Sequence, residues 1–196
     1  MAYYYLASQL PYLIYGQAIP MSSAAFKELA KNSLDPSDAM WLDYCVLGKD
    51  VFSSPLPTPY SLLPMFFQQW FEWEYALRLN LARARAARLK RDFLFDVPEY
   101  PADAVTAAKA AAAIESPLEA EIFLDEARWK AIEAFQGYDY FDSNTIYAYL
   151  LKLLLMERRS CFRTEEGFAE YKGLYAAVIA ASGYDGAQFK ESGEPK

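Results

Sequence analysis

Histidine is absent from the 196-residue chain. Imidazole serves most protein zinc, copper and non-haem iron sites and most acid–base catalysis near neutral pH, so its absence weighs heavily against an enzyme. Cysteine is scarce: Cys45 and Cys161 form no CxxC pair. Each lies in an apolar helical context and is expected to serve as a small core residue, which does not indicate a disulfide scaffold. The eight glycines spell neither GxGxxG nor GxxxxGK, and no GxSxG is present. A nucleotide cradle, a hydrolase elbow and a bound cofactor or metal are therefore not expected.

Positive charge is also in deficit, with 19 Lys and Arg against 26 Asp and Glu, a net charge of -7. Such a chain repels phosphate backbones, so nucleic acid is a poor partner. The first cation is Lys27, which leaves the apolar opening without the basic flank of a secretory signal. The apolar run Ile146 to Met156 is broken by Lys152 and falls short of the ~20 residues that span a bilayer. These absences lead to the expectation of a soluble, cytoplasmic protein with no membrane insertion.

What is abundant is apolar and aromatic surface, 54% and 17% of the chain, enough for one sizeable core. The pattern predicts an all-α helical bundle of about six to seven helices with one long central helix. A single helical domain over 1–190 is expected, with sub-repeats 1–95 and 96–190 as an open alternative and 191–196 as a disordered tail. The opening Tyr3-Tyr4-Tyr5-Leu6 and Leu10 to Gly16 is too short a pattern to separate helix from extended chain.

Helix signals follow. Ser22 or Ser23 can cap a helix through Ala30, and Asp35-Pro36 pairs a cap with proline at the first position. Ser53 to Pro59 holds three prolines and reads as an extended loop. A long helix is expected from about Ser61 to Arg91, apolar nearly all round at first and cationic at its end. Ser116-Pro117-Leu118-Glu119 opens a helix whose inward stripe is read as Leu118, Ile122, Ala127 or Trp129, Ile132 and Phe135. Asp142 caps the next, and Phe168, Tyr171, Leu174, Tyr175 and Val178 form the apolar face of the last.

Two features suggest contact with partners. Arg78, Arg83, Arg85 and Arg88, continuing into Lys90 and Arg91, form a cationic helix end that reads as a solvated or protein-docking surface. Tyr138, Tyr140 and Phe141 lie in an aromatic, acidic junction that reads either as an interface or as a plug between helices. Glu121 and Asp125 share a helix face, but the Glu-x-x-His of a di-iron helix cannot occur here.

A shift of 74 positions lays Glu74-Tyr75-Ala76-Leu77-Arg78-Leu79-Asn80-Leu81 over Ala148 to Leu155, matching Tyr, Leu, a cation and two more Leu in order. A duplicated helical unit or two compositionally similar helices would both produce this. The stretch Glu74 to Arg85 resembles the helical repeat signature of the central-stalk subunit of V/A-type ATPases. The Tyr3-Tyr4-Tyr5-Leu6 opening resembles that family's aromatic N-terminus, with Ser8 and Leu10 where the family tends to be basic. More of the chain is similar to a bacterial family encoded among V-type ATPase genes. That likeness rests on the opening through Leu13, Pro117 to Glu121, Ala127 to Trp129, Tyr140 to Asp142 and Glu157 to Arg159.

The resemblance implies a non-catalytic structural or accessory subunit of a bacterial V/A-type ATPase, built of helical repeats like those of the central-stalk subunit. Its partners would be the rotor shaft or membrane ring, and it would be peripheral at the inner membrane through that complex. An unrelated helical adaptor is the alternative from the residues themselves. An enzyme using Cys161 or paired carboxylates is the third reading.

Overall fold

The computed structural model describes residues 3–47, 62–162 and 164–182. The described residues form eight α-helices and no strand. The undecided opening supplies one of them, α1 (Tyr4–Gln9). After it come α2 (Ser23–Ser33) and α3 (Pro36–Ala39), which runs on as a 3-10 turn over Met40–Tyr44. Then follow α4 (Met65–Arg88), α5 (Ala102–Ala113), α6 (Pro117–Gln136), α7 (Ser143–Ser160) and α8 (Thr164–Ser182). The proline-rich stretch 53–59 and the tail 191–196 lie outside the described residues.

The starts follow the local chemistry. Ser22 Oγ accepts from Ala25 N at 3.2 Å and Ser116 Oγ from Glu119 N at 3.4 Å. Asp142 accepts from Thr145 N at 3.0 Å at the head of α7. Ser23, the other cap candidate, instead donates its N–H and its hydroxyl to the Glu157 carboxylate, both at 2.6 Å. An anion thus sits at the positive end of α2 and ties it to α7. Asp35 occupies the position before α3 without a side-chain cap bond, and the Tyr3 hydroxyl beside it donates to Asp38 of the helix's first turn.

The long α4 is central because it is apolar on several sides. Phe66, Phe67, Trp70, Phe71, Trp73, Ala76, Leu77 and Leu81 are all buried. Its main neighbour is α5, where Ala104, Ala107, Ala108 and Ala111 recur at three- and four-residue spacing. Their small side chains let the two helices pack closely along that stripe. Trp73 Nε1 donates to Asp103 Oδ2 at 2.7 Å, fixing the register at the head of α5. α7 packs on α6 and α2 through Ile146, Leu150, Leu151, Leu153 and Leu155.

α4 ends at Arg88 in a paired-bond cap, with Lys90 N on Ala87 O and Arg91 N on Ala86 O, both near 3.0–3.1 Å. Lys90 takes the left-handed position, φ +52°. Gly137, at φ +77°, closes α6 as expected.

Compact packing divides the chain into residues 1–160 and residues 161–196. In the second unit, α8 leaves Phe168, Tyr171, Leu174, Tyr175 and Val178 exposed. Cys161 is exposed in the turn after α7 rather than serving as core, whereas Cys45 is buried and burial holds its thiol well above the usual range. Among the described residues, no helix is long and apolar enough to cross a membrane.

Candidate docking surfaces

The sequence places four arginines on α4, and the structure gives them different tasks. Arg78 Nε donates to the fully buried Glu74 at 2.7 Å, so this cation serves the interior. Arg83 donates to Asn80 Oδ1 at 3.3 Å. Asn80 is itself buried, and its amide donates to Ala76 O and Pro98 O, pinning the loop after α4 back onto the helix. Arg85 lies 3.9 Å from Glu121, and Arg88 is exposed. Arg85, Arg88, Glu115 and Glu121 rim a cleft of about 210 Å³ between the ends of α4 and α5 and the start of α6. The acids there match the cations, which makes this end a mixed rather than a purely positive surface.

Beneath it lies an ion network that the sequence conceals. Arg128 of α6 is 5% exposed and donates through Nε and Nη2 to both Glu74 oxygens, at 3.0 and 3.1 Å. Its Nη1 reaches Asp125 Oδ1 at 2.9 Å. Arg158 of α7 stands 3.5 Å from the same oxygen and donates to Glu121 at 2.5 Å. Burial would lower Arg128, but Glu74 and then Asp125 outweigh it and hold the guanidinium above its ordinary value. Asp125 is raised, chiefly by burial, against the pull of Arg158 and Arg128. Its Oδ2 is buried without a hydrogen-bond partner.

The expected stripe of α6 holds in part: Trp129 and Ile132 are buried, and Leu118, Ile122, Ala127 and Phe135 are half-buried. The buried face also takes in Leu124, Ala131 and the charged Asp125 and Arg128, which apolar periodicity does not register because their burial depends on pairing. Among the described residues, no group of three or more Cys, Asp or Glu side chains is placed to hold a metal ion.

The second surface is a groove of about 490 Å³ between the opening segment, the end of α6 and the start of α7. Leu10, Tyr12, Tyr140, Phe141, Tyr149 and Lys152 contribute to its lining. The Tyr149 hydroxyl donates to Pro11 O at 3.0 Å, and Tyr3 N donates to Phe141 O at 2.5 Å. Tyr4 packs on Phe141 with ring centroids 4.6 Å apart. These contacts clamp the opening segment beside the α6–α7 junction. Tyr149 is pushed up to about 12 by burial.

Two of the three junction aromatics, Tyr140 and Phe141, therefore line the groove, while Tyr138 is 97% exposed beside it. Tyr12, at 86%, was not singled out by sequence, since nothing in the opening pattern separates a wall residue from a buried one. Lys152 Nζ sits 3.2 Å from Glu133 Oε1 and 5.1 Å from the Trp129 ring centroid. Burial lowers Lys152, with Glu133 opposing.

No family model, curated protein or solved structure matches the chain.

Proposed function

We propose that this protein is a non-catalytic helical docking subunit, serving a bacterial V/A-type ATPase as a structural or accessory component similar to its central-stalk subunit. The observation that carries the docking part is the groove at the opening segment. Tyr12, Tyr138 and Tyr140 hold large amphipathic rings in water around a concavity of ligand-binding size. The ATPase part rests on the resemblance of Glu74 to Arg85, the opening, Pro117 to Glu121, Ala127 to Trp129, Tyr140 to Asp142 and Glu157 to Arg159. Two of these six stretches, the opening and Tyr140 to Asp142, meet at the groove, which supports reading those two as one contact surface. The second contact would be the exposed end of α4 at Arg83, Arg85 and Arg88.

The test is affinity capture of the tagged protein from its own host, under conditions that keep the ATPase intact, followed by mass spectrometry. Recovery of V/A-type ATPase subunits, reduced when Arg83, Arg85 and Arg88 become Glu, is the expected result. Recovery of none of them would overturn the ATPase assignment and favour a helical adaptor with another partner.

A further inference from the structure

The geometry points to α8 as a self-association surface: its apolar stripe pairs antiparallel with the same stripe of a second copy of this chain. The inference is independent of the docking reading, because it concerns a different helix and is measured on the purified protein alone.

Phe168, Tyr171, Tyr175 and Val178 recur at spacings of three, four and three, the rhythm of a helix seam. Leu174 widens the stripe on one side, and all five residues are exposed, at 50–68%. Glu170, Gly173, Ala176 and Ala177 fall on the other faces, so no charge interrupts the stripe. Lys172 stands at its edge, with Nζ 4.6 Å from the Phe168 ring centroid. Among the described residues of its unit, α8 is the one helix. A helix draws most of its stability from packing one face, and Gly167 and Gly173 each weaken this one by about 1 kcal/mol relative to alanine.

The area suits a second copy. At their exposures the five side chains present about 500 Å² of largely apolar surface. A copy laid on the stripe brings the total buried to about 1,000 Å², where specific interfaces begin. A membrane surface fits less well, since helices that lie on one carry Lys and Arg along the polar face, and Lys172 is the one cation of α8 in a chain of net charge -7.

The stripe is also complementary to itself in the antiparallel sense. With a two-fold axis beside residue 173, Phe168 of one copy meets Val178 of the other and Tyr171 meets Tyr175. A large side chain then faces a smaller one at each end, and four rings meet at the centre. Tyr171 and Tyr175 already present a flat pair there, with centroids 6.1 Å apart and planes at 25°. A parallel copy would set Phe168 on Phe168 and Val178 on Val178, one layer wide and one narrow, and would align the two helix dipoles side by side.

The experiment is sedimentation equilibrium of the full chain from about 1 to 200 µM, the range that reads micromolar dissociation constants. A monomer–dimer equilibrium is expected with no larger species, since a two-fold pair closes on itself. Tyr171→Glu should raise the dissociation constant by at least about tenfold, because pairing would bury its charge, and Ala177→Glu on the opposite face should change it by less than about twofold. Direction is read by cross-linking in a Cys161→Ser background, where the buried Cys45 stays silent. Phe168→Cys and Val178→Cys chains, mixed under mild oxidation, should form a disulfide with each other, and neither should do so alone. A monomer at every concentration overturns the inference. A dimer that Tyr171→Glu leaves unchanged, or that Ala177→Glu weakens equally, overturns it by placing the contact elsewhere. Where Tyr171→Glu also lowers the helical circular dichroism, the cross-link decides: the mixed product supports the pairing, and its absence, or self-linking of Phe168→Cys, overturns it.

Discussion

Glu74→Gln is the substitution that most directly tests how the interior is held together. Glu74 is fully buried and accepts three charge-assisted bonds, two from Arg128 and one from Arg78. Glutamine keeps one acceptor but turns its amide N–H groups toward donors, and leaves Arg128 with Asp125 as its remaining carboxylate. Removing one partner of a buried ion pair costs about 3–5 kcal/mol, because the other charge stays desolvated. Arg78 is 29% exposed on its side chain and can turn to water, so its loss adds little. A single domain is stable by about 5–15 kcal/mol, so this one change removes a large share of the total. With a urea m value of about 2 kcal/mol/M, the unfolding midpoint falls by about 1.5–2.5 M at unchanged m.

The companion variant separates pairing from packing. Replacing Glu74 by Met, Asp125 by Leu and Arg128 by Met together removes the whole buried cluster and is expected to be neutral or stabilising. It also deletes the orphaned Asp125 Oδ2. A cost below about 1 kcal/mol for Glu74→Gln, on the scale of an exposed pair, would refute the reasoning by showing that Arg128 finds water in the native state.

Lys90→Gly should stabilise the chain by about 0.5–1 kcal/mol in the same urea assay, because Lys90 holds the left-handed cap position of α4 that glycine takes without a Cβ penalty. Leu151→Ala, at a fully buried position of α7, should cost about 2–5 kcal/mol of unfolding free energy. Asn80→Ala should cost about 1–3 kcal/mol by leaving Pro98 O without its side-chain donor, and hydrogen exchange should show faster opening of residues 89–100. Lys152 titrates below its ordinary value, so between its folded value and 10.5 the unfolded chain binds more protons and stability from this group rises with pH. The difference in urea midpoint between the unaltered chain and Lys152→Met should therefore shift in favour of the unaltered chain as pH rises through that window. A constant difference would show that burial does not act on Lys152.

The helices were legible because their signals are local. Serine caps, Pro117 at a first turn and Gly137 at a terminus each act within four residues, and each was found where the sequence put it. The all-α class and the long apolar-sided helix followed from periodicity in the same way. The interior charges were not legible because their partners lie far apart in sequence. Glu74 and Arg128 are separated by 54 positions, and either one alone reads as surface. A usable hint was present: Glu74 sits between Trp73 and Leu77 in a run apolar on several sides, where a carboxylate has no water to face. Finding its cation still required knowing which face of α6 meets α4.

The same reasoning bears on the two surfaces. The arginine run on α4 looked uniform in sequence, yet Arg78 faces an interior acid while Arg88 is exposed, because the helix passes from buried core to open end within three turns. The groove is the reverse case. Tyr12 and Tyr140 are 128 positions apart, and nothing in the sequence pattern shows that the opening and the junction share one surface. They become one wall because Tyr3 bonds to Phe141 and Tyr149 bonds to Pro11, two contacts that anchor the opening segment to α7 and its entry turn. A chain that commits two such bonds, one of them from a half-buried tyrosine hydroxyl, to holding exposed aromatics at one groove has organised a surface rather than left one uncovered. That organisation places the groove ahead of the arginine end as the first surface to test for a partner.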